Sequence, residues 1–220
     1  MGFFTRLFGK PDSPDIKKVR QIIRQVERDV KSELAPLHAV SSAIIRAAHQ
    51  CTERMKPSFP RKQTEQEAIL CQMYVLYEFL YFFIHMTNRC TRNEEFTRAQ
   101  FEEFQHIVYF HVIAVAIDSF MLDWPDEAKQ KIIHEFYDNL NSAEMEYSTS
   151  KEVISEVKPY LGDSLLAKLS RRVAAKLDNA YNPVVMVEVT LVAHDELLNS
   201  NLDKLVGPAK AVLCCNSTGK

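Results

Sequence analysis

The sequence predicts an all-α fold, a single bundle of about seven or eight helices. Helix start signals recur along the whole chain, and each places a capping side chain just before an apolar run of helical period. The composition, 46% hydrophobic and 25% charged with five Gly, is typical of a globular protein. Only one segment has a strand-like pattern, and a lone strand would leave its backbone groups unpaired. These three observations together indicate the all-α class.

Eight helices are predicted in order from these start signals. Thr64 begins the third helix with a capping box, and Thr97 begins the fourth in the same way. Asn182 caps the last helix, which is expected to end at Gly207. The predicted helices span, in chain order, about 13–34, 36–55, 64–89, 97–122, a fifth from 123, a sixth from 149 to 161, a seventh from 163 or 164, and an eighth over 182–206.

Residues 184–194 (VVMVEVTLVAH) carry the strand-like pattern, because β-branched residues alternate there. A helix is predicted for this segment, since no second convincing strand exists elsewhere to pair with it. A strand stays open as the alternative.

Composition divides the chain into three parts. Residues 1–12 form a short apolar and basic segment, residues 13–208 form the helical bundle, and residues 209–220 are expected to be a flexible tail. Within the bundle, the linker KPSFPRK at 56–62 separates basic front helices (13–56) from an acidic main bundle (63–208).

Cysteine spacing and hydropathy indicate a cytoplasmic protein without a cofactor. The five cysteines are scattered and lack a CxxC spacing, which argues against a disulfide scaffold or a zinc site. No secretory signal is recognisable in the first ten residues. The two longest apolar runs, 68–86 and 104–122, are interrupted by ionisable side chains. We therefore expect both runs to be buried core helices rather than membrane spans.

Charge is segregated along the chain. Residues 1–62 contain 13 Lys+Arg against 6 Asp+Glu, a net charge of +7, and residues 63–220 contain 14 against 23, a net charge of −9. The helix predicted at 13–34 has a basic row beside a separate apolar stripe. The row consists of Lys17, Arg20, Arg24, Arg28 and Lys31. A helix of this kind suits an anionic lipid surface or an acidic protein face, and it is also compatible with a solvated face of the bundle.

The first ten residues contain an apolar cluster with basic neighbours. The cluster consists of Phe3, Phe4, Leu7 and Phe8. Its rings are suited to the headgroup boundary of an anionic membrane, and burial in the domain core or in a dimer interface stays open. Nucleic acid is disfavoured, because the basic row lacks an aromatic stacking platform and a Gly-rich phosphate loop. A protein partner or a homo-oligomer is expected.

The acidic counterpart of the basic helix is the segment 123–163, which carries ten Asp+Glu against four Lys. Two interpretations stay open. The segment is either the intramolecular docking face of the basic helix or a separate face for a partner protein.

Among the ionisable residues of the two most apolar predicted helices, four are the candidates for a buried ligand site: Glu78, His85, His111 and Asp118. If these helices form an antiparallel hairpin, Glu78 is expected near His111 or Tyr109, and Asp118 near Cys71. A carboxylate close to an imidazole can bind a small ligand, hold a metal or transfer protons, and it can equally be a structural hydrogen bond.

Catalytic motifs are absent from the sequence. It contains no GxGxxG, GxxxxGK[ST], HExxH or GxSxG, and the single Glu103-x-x-His106 element lacks the second copy that di-iron bundles need. We therefore predict no catalytic residues and no metal site. The expected function is that of a non-catalytic helical interaction or regulatory protein attached peripherally to an anionic membrane. The alternative is a helical-bundle enzyme or ligand binder that uses the buried Glu and His residues.

Overall fold

The computed structural model describes residues 34–121, 124–155 and 162–217, and for 118–121 and 215–217 it describes the backbone only. These residues form seven α-helices and one 3-10 turn, and no strand occurs among them. The helices are α1 (Ala35–Met55), α2 (Glu65–Asn93), α3 (Arg98–Met121), α4 (Asp126–Ser148), α5 (Leu165–Lys176), α6 (Pro183–Ser200) and α7 (Leu202–Ser217), and the 3-10 turn is Lys56–Ser58. The predicted all-α class is confirmed. The segment 1–12 and the basic helix predicted at 13–34 fall outside the described residues, apart from Leu34.

Several predicted helix starts are confirmed by their hydrogen bonds. The Thr64 side chain accepts from the backbone N–H of Glu67, whose carboxylate accepts from the N–H of Thr64. Thr97 makes the equivalent pair of bonds with Gln100 at the start of α3. Asn182 caps α6, so the segment 184–194 is helical as predicted.

Helix α2 lies at the centre of the bundle and contacts α3, α4, α5 and α7. Its side chains from Val75 to His85 are all buried, including a run of aromatic residues that packs edge-on against Phe136 of α4 and against other rings. The prediction that the run 68–86 is a core helix is confirmed. By length and hydropathy, α2 is also the one helix of the described chain that could cross a membrane, but 72% of its most apolar window is buried inside the protein.

Helix α1 packs on the bundle through an apolar face. Leu37, Val40, Ile44 and Met55 have no exposed surface. At its C-terminal end, the Arg54 side chain donates to Asp195 and Glu196 of α6 at 3.0 and 3.3 Å. The described residues from Pro36 onward form one compact unit to which α1 belongs.

The sixth predicted helix, from 149 to 161, is wrong in its described part, because residues 149–155 are not helical. The segment 149–155 instead forms hydrogen bonds with the C-terminal end of α4 and the N-terminal end of α5. The Thr149 hydroxyl donates to the Glu146 carbonyl in the last turn of α4. The carbonyls of Glu152 and Val153 accept from the first N–H groups of α5, which otherwise have no intrahelical partner.

The predicted end of the last helix at Gly207 is also wrong. The helix α6 ends at Ser200, because Asn201 adopts the left-handed conformation (φ 52°, ψ 31°) that Asn tolerates better than most residues. A new helix, α7, starts at Leu202 and includes Gly207. Residues 209–217 therefore belong to α7 rather than to a flexible tail, and Ala209 and Leu213 are buried in the core.

Candidate functional site

The charged centre of the bundle lies where α2, α4 and α5 meet. The Arg172 Nε of α5 donates to Glu78 Oε2 of α2 at 2.6 Å, and its Nη1 donates to Glu146 Oε2 of α4 at 3.1 Å. Lys176 Nζ lies 3.8 Å from Glu78 Oε1. Since the Glu78 side chain is only 3% exposed, the two cations provide the compensation that a buried carboxylate needs.

Ionisation of this pair is controlled by burial and by mutual attraction. Burial raises the pKa of the Glu78 carboxyl, while attraction and hydrogen bonding from Arg172 act in the opposite direction. Burial acts to lower the pKa of the Arg172 guanidinium, but attraction and hydrogen bonding from Glu78 outweigh it and raise that pKa. A carboxylate held by a guanidinium in this way is poorly placed to act as a general base.

A second polar chain runs from α2 to α3 and α4. The Nδ1 of His85 lies 2.9 Å from Glu144 Oε2, and the Asn88 side chain donates to the other oxygen of Glu144 at 2.9 Å. The Tyr109 hydroxyl donates to Asn88 Oδ1 at 2.6 Å and accepts from Gln105 at 3.1 Å. Each of these buried groups therefore has a partner within the protein, which is the pattern of a structural network.

The Tyr147 hydroxyl is different. Its side chain is fully buried beside the His85 ring, and its oxygen has no hydrogen-bond partner among the described residues. Burial raises the pKa of this phenol, so it stays neutral. Tyr109 and Tyr147 are both buried, but only the Tyr109 hydroxyl forms a hydrogen bond within the described residues, so the same Tyr→Phe substitution can be compared at the two positions.

Tyr109→Phe and Tyr147→Phe are expected to differ in their effect on the free energy of unfolding. Tyr109→Phe leaves the Asn88 carbonyl oxygen buried without its donor and is expected to cost about 1–3 kcal/mol. Tyr147→Phe removes a hydroxyl that makes no such bond and is expected to change stability by less than about 1 kcal/mol. Urea unfolding of the two variants checks this, and equal losses would contradict the assignment of bonds.

Two of the four buried candidates lie together on α2, and the other two do not join them. Glu78 and His85 are buried as expected, but their partners come from α4 and α5. The predicted proximity of Glu78 to His111 or Tyr109 is wrong: Tyr109 contacts Asn88, nearly three turns further along α2. The side chain of Asp118, expected near Cys71, lies outside the described residues.

His111 instead meets a residue that the sequence analysis did not single out. Its Nδ1 lies 3.4 Å from Nδ1 of His38 on α1, and the rings are T-shaped. Burial lowers the pKa of both imidazoles, and repulsion from His38 lowers that of His111 further.

The cations of the charged centre were also missed. They carried a usable signal, because Lys168, Arg172 and Lys176 recur at four-residue spacing in the short helix α5. Such a row lies on one helix face, and a short helix with eight buried residues must place part of that row against the core. Lys168 confirms the point: it is buried and donates to the Glu146 carbonyl at 2.8 Å.

Two carboxylates of the acidic segment 123–163 form these contacts within the bundle. Glu144 and Glu146 point towards His85 and Arg172 inside the protein. The residues of the basic row and of the N-terminal apolar cluster, from Phe3 to Lys31, lie outside the described residues. Within residues 34–121, 124–155 and 162–217, no group of three or more His, Cys, Asp or Glu side chains could hold a metal ion.

Comparisons with protein-family models, with curated proteins and with solved structures find no match for this chain.

Proposed function

We propose that this protein is a non-catalytic, cytoplasmic interaction or regulatory protein whose N-terminal region attaches to an anionic membrane surface. The observation that carries the proposal is the charge segregation, +7 over residues 1–62 against −9 over residues 63–220. A basic row next to an apolar cluster supplies both components of peripheral attachment, which are attraction to anionic headgroups and insertion of apolar rings.

The buried polar contacts support a role without catalysis. The carboxylate of Glu78 is neutralised by Arg172, and the imidazole of His85 is engaged by Glu144. The hydrogen bonds of these two groups within the described residues lead to Arg172 and Glu144, and none leads to a Ser, Thr or Cys side chain that could act as a nucleophile. The networks join α2 to α3, α4 and α5, so their evident contribution is to hold the bundle in one arrangement.

An exposed apolar line on α6 supports a protein partner in addition to the membrane. Val184, Leu191 and Leu198 are 73%, 58% and 67% exposed. Their seven-residue spacing places them along one line of the helix, and it covers about 21 Å at 1.5 Å per residue. A row of exposed apolar side chains on one helix face is a candidate contact surface for a partner helix.

The test of membrane attachment is a charge-removal variant with a matched control. Replacing Lys17, Arg20, Arg24, Arg28 and Lys31 by Ala is expected to release the full chain from vesicles containing phosphatidylserine, because each basic residue near the surface contributes about 1 kcal/mol. The control replaces five exposed cations elsewhere, so that it removes the same charge: Arg92, Arg98, Lys131, Lys151 and Lys204. It is expected to bind like the unmodified chain. Equal binding by the two variants would refute the proposal.

A further inference from the structure

The two histidines that join α1 to α3 have the geometry of a pair of metal ligands. His38 lies one turn inside α1, and His111 lies in the middle of α3. Their Nδ1 atoms are 3.4 Å apart, their ring centroids are 4.7 Å apart, and the ring planes are nearly perpendicular at 84°. Both side chains are half-buried, so the pair is held by packing and is still open to solvent on one side.

The distance between the two nitrogens fits two contacts. At 3.4 Å one imidazole can donate its Nδ1–H to the other in a long hydrogen bond. Two imidazole nitrogens bound tetrahedrally to Zn²⁺, each about 2.0–2.1 Å from the metal, stand about 3.3–3.4 Å from each other. The observed separation therefore matches the bite of a tetrahedral cation.

We propose that His38 and His111 bind a divalent transition-metal cation, with Zn²⁺ as the best fit, and that this metal clips α1 to α3. Zinc is favoured because it takes imidazole nitrogen readily and imposes no other geometry. With only two protein ligands among the described residues, water completes the coordination, so the metal exchanges more easily than in a closed structural site.

A cation bound by this pair would join two helices that are far apart in the sequence. The contact joins residues 73 positions apart in sequence, so a bound cation would tie α1 to the rest of the bundle and stabilise the folded state.

The experiment is a Zn²⁺ titration of the metal-free full chain, followed by calorimetry. Binding is expected to weaken by at least about tenfold in His38→Gln and in His111→Gln. Loss of a residue that merely hydrogen-bonds to a metal ligand already lowers metal affinity about 10–100-fold, and loss of the ligand itself costs no less. The matched control is His134→Gln, which removes an exposed histidine of α4 that lies 3.9 Å from Asp138. This control is expected to keep the affinity of the unmodified chain.

Thermal unfolding provides an independent readout. Zn²⁺ is expected to raise the Tm of the unmodified chain and of His134→Gln, and a chelator is expected to reverse the rise. If one histidine variant does not fold, the other decides alone. The proposal is overturned if Zn²⁺ does not bind the unmodified chain, if the folded histidine variants bind it equally well, or if only His134→Gln loses binding.

Discussion

Glu78→Ala is expected to lower the free energy of unfolding by about 3–5 kcal/mol, because it leaves the largely buried Arg172 guanidinium of α5 without its main counter-charge. The Arg172 side chain is 17% exposed and cannot reach water freely when its 2.6 Å bond to Glu78 is lost. Glu146, 3.1 Å from the same guanidinium, replaces only part of the interaction, since it is more exposed. Urea unfolding followed by circular dichroism measures the loss.

The matched control is Glu102→Ala on α3. Glu102 accepts from Arg98 at 2.8 Å, but both side chains are largely exposed. Exposed ion pairs contribute about 0–1 kcal/mol, so this variant is expected to unfold close to the unmodified chain. If Glu78→Ala were as mild as Glu102→Ala, the charged centre would not be an important structural element of the bundle.

Deletion of residues 1–62 is expected to abolish folding, because it removes α1 from the bundle. Leu37, Val40, Ile44 and Met55 are fully buried, and side-chain contacts join α1 to α3 and α6, so the deletion exposes apolar surface that α1 covers. A typical domain has only about 5–15 kcal/mol of stability to lose. The structure thereby argues against a detachable front module that ends at the linker 56–62.

Circular dichroism and thermal unfolding of the chain 63–220 check this prediction. We expect a partly helical species without a cooperative transition, with exposed apolar surface that binds a hydrophobic dye. A cooperative transition near the Tm of the full chain would show that α1 is dispensable. The basic front helices, 13–56, would then form a unit separate from the main bundle.

Local signals predicted most of the fold. The capping boxes at Thr64 and Thr97 and the Asn182 cap act within three residues, so the sequence alone predicts them correctly. Errors occurred where tertiary contacts decide. Residues 149–155 have a good start signal, yet their backbone and hydroxyl groups bond to the ends of α4 and α5. Asn201 ends α6 because it adopts a left-handed conformation, which the sequence does not reveal against the stronger signal of Gly207.

The buried site was predicted only in part, for a related reason. Burial of Glu78 and His85 follows from the apolar run around them. Their partners, Arg172 and Glu144, are 94 and 59 residues away and belong to helices whose packing on α2 no local pattern reveals. The simple hairpin register, which placed Glu78 near His111, fails because α2 packs against four helices rather than against α3 alone.

The central claim, attachment to an anionic membrane through the N-terminal region, is tested most directly by cosedimentation with vesicles. The full chain and a chain lacking residues 1–12 are compared on anionic and on neutral vesicles, at low and at high salt. We predict that the full chain binds only anionic vesicles, that salt weakens binding by screening the basic residues, and that the deletion reduces it. Absence of binding under all conditions, or equal binding of the two chains, would contradict the proposal.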